Sequence, residues 1–92
     1  STVSAGFSLT LNGAVVEEII LAFGGMAAQT RRATETENFL LGKPYTEQNI
    51  REAMQILANE FTPISDARAE AQYRQQVATN LLLKFFDNTK TI

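Results

Sequence analysis

The chain has 92 residues, ten acidic and eight basic side chains for a net charge of −2, and 45% hydrophobic residues. This length predicts one domain over residues 1–92, without the basic stripe of a nucleic-acid module or the ~18-residue apolar run of a membrane span. Because cysteine and histidine are both absent, disulfides, thiolate metal sites and the commonest general base are excluded. A cysteine-free chain also fits a reducing, cytoplasmic compartment.

A β-hairpin is predicted first. Apolar and polar side chains alternate over residues 3–11, which is the period of a half-buried strand. The pair Asn12-Gly13 is a strong signal for a hairpin turn. Residues 15–23, rich in β-branched and aromatic side chains, then form the returning strand.

The pairing of these strands requires an irregularity. A strict two-residue turn at Asn12-Gly13 would place Phe7 opposite Glu18, which is a poor neighbour on the same face. We therefore expect a β-bulge or a longer loop near Ala14. Part of the second strand is apolar on both faces and is expected to be covered on both sides. The residues concerned are Ile19, Ile20, Leu21 and Phe23.

Gly24-Gly25 ends the second strand, because two glycines allow positive φ or a close backbone approach. The pair could approach a phosphate or a flavin, but it does not form a GxGxxG fingerprint. A strand end is therefore the favoured interpretation. Residues 26–32 follow as a short third strand with a weak pattern.

The first helix is predicted over residues 35–41. Thr34 and Glu37 have the spacing of a capping box at its start. Gly42 is suited to a left-handed cap at its end, and Pro44 prevents continuation of the helix.

Two further helices complete the chain. Thr46 is the predicted N-cap of helix two, residues 62–64 break that helix, and Ser65 or Asp66 caps helix three, which runs to about Phe86. The predicted apolar face of helix two comprises Ile50, Ala53, Met54, Leu57 and Phe61. The predicted apolar stripe of helix three comprises Tyr73, Val77, Leu81 and Phe85, widened by Ala78 and Leu82.

This order of elements predicts an α+β fold. A hairpin with a third strand forms a small antiparallel sheet, and three helices cover it in the order β-β-(β)-α-α-α. A hairpin alone would be marginally stable in water, so the third strand or the helices are needed.

Two pairs of carboxylates are acid–base candidates. Glu17 and Glu18 are adjacent in a strand, so they point to opposite faces. Glu35 and Glu37 suit the positive end of a helix dipole. Both pairs are therefore interpreted as structural.

The remaining polar candidates also have structural interpretations. Arg31-Arg32 could clamp an anion, but a solvated or salt-bridging pair is favoured. Arg74 is expected to pair with Glu70 at the i, i+4 spacing. Tyr73 lies on the predicted stripe and is expected to be a core ring with its hydroxyl at the rim.

The end of helix three carries more apolar surface than one face can bury. Residues 81–86 contain five apolar side chains and one lysine. Phe85 and Phe86 point about 100° apart, so one of them is expected to contact a neighbouring domain.

Three segments of the chain carry a family resemblance. The first reads VSAGFSLTLNG…EEIILAFGGMA over residues 3–27, and the second reads TETENFLLGKP over residues 34–44. The third, over residues 65–86, fits the pattern SDxRxxxxYRxxVAxNLLxxF. In this order they resemble the C-terminal domain of the FAD-binding subunit of molybdenum hydroxylases, a family that includes bacterial xanthine dehydrogenases and carbon monoxide dehydrogenase flavoproteins.

The resemblance implies an antiparallel sheet with three helices and a place in a larger cytoplasmic oxidoreductase. In such an enzyme a molybdenum cofactor oxidises purines, and electrons pass through iron–sulfur clusters and FAD to NAD. The implied partners are upstream FAD-binding domains, an iron–sulfur domain and a molybdenum-cofactor subunit. The family's glycine-rich FAD loops lie outside these segments, so no catalytic, cofactor-binding or metal-binding residue is assigned here, and the isolated chain is expected to be inactive.

An alternative stays open at this point. The chain could be a stand-alone interaction or dimerisation domain without redox function, and a homo-oligomer is compatible with either reading. The apolar end of helix three would then supply the contact surface.

Overall fold

A computed structural model describes residues 4–24, 31–60 and 68–90. The strands form one antiparallel sheet in the order β1-β2-β3, and three helices follow, which confirms the predicted α+β fold. The elements are β1 (Ser4–Asn12), β2 (Val15–Gly24), β3 (Arg31–Arg32), α1 (Thr34–Leu40), α2 (Glu47–Glu60) and α3 (Arg68–Thr89).

The hairpin turn lies one residue later than predicted. Asn12 pairs with Val15, so Gly13 and Ala14 are the central turn residues. Gly13 has a φ of 65°, which is the positive value that a type II′ turn needs at its first central position. The prediction of a turn centred on Asn12-Gly13 was therefore wrong by one residue.

The expected β-bulge is present. Thr10 pairs with Glu18 and Leu11 pairs with Val16, so Glu17 is the extra residue on β2. Together with the displaced turn, this bulge places Phe7 opposite Leu21 instead of Glu18 and keeps apolar side chains on one face.

The core lies between one sheet face and the helices. On β2 the buried residues are Val16, Ile19, Leu21 and Phe23, each at most 4% exposed. On the opposite face Ile20 is 39% exposed. The prediction that both faces of this part of β2 are covered was therefore wrong for the described residues. α1 packs on β2 and α2, while α3 packs on α2 and reaches β1.

α1 begins without the predicted capping box. Ala33 is the N-cap and makes no side-chain cap, and Thr34 is the first helical residue. The box fails because Glu37 turns toward the sheet. Gly42 has a φ of 79°, which confirms the predicted left-handed residue after this helix.

α2 starts as predicted. The Thr46 hydroxyl accepts a hydrogen bond of 3.2 Å from the backbone N–H of Asn49, so Thr46 is the N-cap. Its buried face holds Ile50, Ala53 and Leu57. Phe61, the break at residues 62–64 and the caps Ser65 and Asp66 lie outside the described residues, as do residues 26–30 of the predicted third strand.

α3 is rotated relative to the predicted stripe. Its buried residues include Ala78, Leu82 and Phe86, whereas Tyr73 is 62% exposed and was wrongly predicted as a core ring. The reason is that residues 81–86 are apolar on several sides, so periodicity does not fix the rotation. The helix also continues three residues beyond Phe86, to Thr89.

Phe85 and Phe86 contact two different parts of the domain. Phe85 meets Phe7 of β1 edge to face, with ring centroids 5.2 Å apart. Phe86 meets Tyr45 in the same geometry at 5.0 Å. The predicted divergence of the two rings is confirmed, and both find partners within the domain.

Candidate functional site

The Glu37 carboxylate is a buried polar group, with its side chain 5% exposed, and it accepts three hydrogen bonds. Its Oε2 accepts hydrogen bonds from the Leu21 backbone N–H at 2.8 Å and from Arg32 Nε at 3.2 Å. Its Oε1 accepts a third, from Arg32 Nη2 at 2.7 Å. We call Glu37, Arg32 and the Leu21 backbone the Glu37 cluster.

Chain topology explains this cluster. Leu21 turns its N–H and C=O away from β1, and its carbonyl accepts a hydrogen bond of 2.8 Å from the Ala33 N–H. β3 pairs only with the end of β2, at Ala22 and Phe23. The Glu37 carboxylate therefore continues this sheet edge at Leu21, where a buried N–H would otherwise lack an acceptor.

Arg32 balances the charge of the buried carboxylate. Its side chain is 54% exposed, so one end of the pair stays in water. Glu37 raises the pKa of the Arg32 guanidinium, through the hydrogen bond first and through its negative charge second. The prediction of a salt-bridging arginine is confirmed for Arg32.

A second carboxylate closes the start of α1. Glu60, the last residue of α2, accepts hydrogen bonds from the backbone N–H of Glu35 at 2.9 Å and of Thr36 at 3.1 Å. It also accepts one from the Thr36 hydroxyl at 2.8 Å. Glu60 therefore performs the capping that the sequence pattern had assigned to Thr34 and Glu37.

The segment after α1 covers the start of the β2 edge, at Val16. Val16 exchanges hydrogen bonds of 2.9 Å with this segment, donating to Lys43 O and accepting from Gly42 N. Tyr45 N donates to Ala14 O at 2.7 Å, and the Tyr45 hydroxyl bonds to the Thr89 hydroxyl at 2.7 Å. Burial raises the pKa of Tyr45 above 10, and the Thr89 hydrogen bond lowers it by less.

A shallow groove runs between α2 and α3. It encloses about 300 Å³ and is open to solvent. Its lining residues are Arg51, Met54, Gln55, Ala58 and Thr79. Arg51 already forms an ion pair of 3.2 Å with Glu47. A small open groove with one committed cation does not fit the two phosphates and the flavin ring of FAD.

The other candidates from the sequence lie apart from this cluster. Glu17 and Glu18 are exposed on β2 near the bulge, and Arg31 is exposed on β3. Gly24 is the last residue of β2, whereas Gly25 lies outside the described residues. The same holds for the side chain of Glu70, so its expected pairing with Arg74 stays a prediction.

Neither a metal-ligand cluster nor a membrane-spanning helix is found in the described ranges. In residues 4–24, 31–60 and 68–90, no three acidic, histidine or cysteine side chains are grouped to hold a metal ion. No helix in those ranges combines the length and hydropathy of a membrane span.

Sequence comparison identifies a family and several relatives. The sequence model of the CO dehydrogenase flavoprotein C-terminal domain matches residues 1–89. The chain is 30% identical over 83 residues to the glyceraldehyde dehydrogenase medium chain of Sulfolobus acidocaldarius, covering 90% of this chain and 30% of that protein. It is 32% identical over 84 residues to an indole-3-acetaldehyde oxidase of Arabidopsis thaliana, covering 90% of this chain and 6% of the oxidase.

Comparison with solved structures finds the same fold in other enzymes. The carbon monoxide dehydrogenase of Hydrogenophaga pseudoflava superposes with a TM-score of 0.74 at 25% identity, over 87% of this chain and 28% of that one. The fold also recurs in quinoline 2-oxidoreductase of Pseudomonas putida 86, with a TM-score of 0.72 at 21% identity over 94% of this chain and 32% of that one. The chain thus spans less than a third of the length of each of these proteins.

Proposed function

The chain belongs to the CO dehydrogenase flavoprotein C-terminal domain family, and from this membership we propose a structural role in a larger redox enzyme. It would form the C-terminal domain of the FAD-binding subunit of a molybdenum hydroxylase. There it closes the FAD-binding unit by packing and helps to dock that unit to the other parts, without catalysing a step itself.

The observation that carries this proposal is the use of polar groups by the fold. Glu37 accepts hydrogen bonds from the Leu21 backbone and Arg32, and Glu60 accepts from the first turn of α1. Tyr45 bonds to Thr89. These three side chains, which could have served as acids or bases, are therefore committed to the domain's own structure.

Cofactors belong to other parts of the proposed enzyme. FAD would be held by other domains of the subunit, since the groove between α2 and α3 does not fit it. A molybdenum cofactor and iron–sulfur clusters would lie in other domains or subunits, which are the proposed partners. FAD supplies electron transfer there, and this chain's residues supply a rigid surface.

The substrate of the whole enzyme has two candidates. The xanthine dehydrogenase resemblance supports a purine substrate with NAD as electron acceptor. The second candidate is an aldehyde, favoured by the names of the relatives, a glyceraldehyde dehydrogenase and indole-3-acetaldehyde oxidases. Turnover of hypoxanthine and of glyceraldehyde by the assembled enzyme distinguishes the two.

The structural role is tested in the assembled enzyme with Glu37→Ala. We expect reduced FAD content after mild heating, because the domain is destabilised, and unchanged turnover per bound FAD. Glu52→Ala, at an exposed position of α2, is the matched control. Full FAD content with a large loss of turnover per flavin would indicate a catalytic role and contradict the proposal.

A further inference from the structure

β1 has a free edge. In the described part of the chain its one neighbouring strand is β2. Phe7 pairs with Leu21, and Leu21 directs its N–H and C=O away from β1, to Glu37 and Ala33. This makes Phe7–Leu21 a non-hydrogen-bonded pair, so Phe7 also directs its backbone groups away from β2.

At the other end of β1, Leu11 also directs its backbone groups away from β2. Leu11 pairs with Val16, whose N–H and C=O bond to Lys43 and Gly42. Because backbone groups alternate along a strand, every second residue of β1 presents its N–H and C=O at the free edge. These residues are Ala5, Phe7, Leu9 and Leu11.

This edge lacks the usual protection against pairing. The sequence of β1, SAGFSLTLN, contains no charged residue and no proline over nine residues, although both commonly block edge strands. Its apolar side chains Phe7, Leu9 and Leu11 are half-buried, whereas the β2 residues opposite them are at most 4% exposed.

We propose that β1 pairs with β1 of a second copy of this chain, antiparallel and symmetric about Ser8. In this register Phe7 lies opposite Leu9 of the other copy, and Ala5 lies opposite Leu11. Every N–H and C=O of the free edge then finds a partner. A register shifted to centre on Phe7 would leave the Leu11 groups without a partner inside the strand.

The side chains that this register places opposite each other are also compatible. A symmetric pairing about Ser8 places the helix-covered faces of both sheets on the same side, so the half-buried apolar side chains meet across the junction. On the outer face the cross-strand neighbours are uncharged residues. They are Ser8 with Ser8, Gly6 with Thr10, and Ser4 with Asn12.

The available area is close to what a specific dimer needs. Nine residues of strand are about 30 Å long, and the shorter dimensions of the domain are 22 and 20 Å. A strip of that length and depth is about 600 Å² per copy, or about 1,200 Å² in total, which is the lower limit of specific interfaces. The predicted dimer is therefore weak and concentration-dependent.

Charge variants at Ser8 test the register in the 92-residue chain. The Ser8 side chain is exposed, so Ser8→Lys and Ser8→Glu should fold normally, as circular dichroism would show. In the dimer each would face its own copy, and like charges directly opposite should weaken dimerisation by about fivefold or more. A mixture of the two variants should dimerise again. Thr10→Lys, which would face Gly6, is the matched control and should retain the dimer.

Sedimentation from about 1 μM to about 1 mM reports the association. Amide exchange provides an independent readout in the unmodified chain. Exchange of the Phe7 and Leu9 amides should slow with rising concentration, while that of the Ser8 amide, which faces β2, should not change. A chain that stays monomeric throughout, or a dimer insensitive to both Ser8 variants, would overturn the proposal.

Discussion

Glu37 Oε2 lies 2.8 Å from the backbone nitrogen of Leu21, sixteen residues earlier in the chain. This contact joins the first helix to the central strand at a point where β3 no longer covers the sheet edge. Since Arg32 bonds to the same carboxylate, one buried side chain connects β2, β3 and α1. The domain therefore depends on this residue for the seating of α1 on the sheet.

Replacing Glu37 should destabilise the domain. In Glu37→Ala the buried Leu21 N–H loses its acceptor, so we expect the free energy of unfolding to fall by about 1–3 kcal/mol. Glu37→Gln should lose less, because its carbonyl oxygen can still accept from Leu21. Urea denaturation measures both. The exposed Glu52→Ala should change stability by less than about 0.5 kcal/mol, and equal effects at positions 37 and 52 would contradict the assigned role.

Glu60 should behave as a capping residue. Replacing it with alanine removes the acceptor for the Glu35 and Thr36 N–H groups, and we expect a loss of about 1–2 kcal/mol in denaturant unfolding. Glu47→Ala is the control, because Glu47 forms an exposed ion pair with Arg51, which contributes at most about 0.5 kcal/mol. If the Glu60 variant is as stable as the Glu47 variant, Glu60 does not cap the start of α1.

Neighbouring leucines test the rotation of α3. Leu82 is fully buried, whereas Leu81 is half-buried. Leu82→Ala should cost about 2–5 kcal/mol, and Leu81→Ala clearly less. The two substitutions change helix propensity equally, so thermal or urea unfolding compares burial alone. A larger loss of stability at Leu81 would indicate that α3 is oriented as the sequence predicted, with Leu81 in the core.

Stability should fall at high pH because of Tyr45. Its pKa in the folded chain is raised above 10 by burial, so the folded state holds this proton more tightly than the unfolded state. The stabilisation is complete below about pH 10, the pKa of an unfolded tyrosine, and is lost as pH rises through the folded pKa.

Tyr45→Phe isolates this effect. The difference between the ultraviolet titrations of the unmodified chain and of the variant gives the Tyr45 midpoint, which should lie above 10. The variant should also lose less stability between pH 9 and about pH 11. A difference midpoint at or below 10 would show that the ring is not held as the structure indicates.

Local patterns were sufficient to predict the order of the elements. Alternation over β1, the hydroxyl of Thr46 and the glycine at position 42 each act within a few residues of their position, so their effects are readable in sequence. The turn was displaced by one residue because Gly13 can serve as the second residue of one turn type or the first residue of another.

The polar contacts could not be predicted in the same way. Glu37 has the spacing of a capping box, but its acceptor oxygens are used by Leu21 and Arg32 once the sheet has formed. Glu60 reaches α1 from 24 residues away, and no local pattern marks it. Both roles depend on tertiary packing, which overrides the local capping preference.

The central claim is that this domain supports a flavin-binding unit without binding the flavin itself. Titration of FAD with the purified 92-residue chain, followed by flavin fluorescence and calorimetry, tests that claim most directly. We predict no stoichiometric binding up to about 100 μM FAD. A resident cofactor would bind at concentrations well below this. Saturable one-to-one binding below about 1 μM would contradict the account and would place a flavin site within this chain.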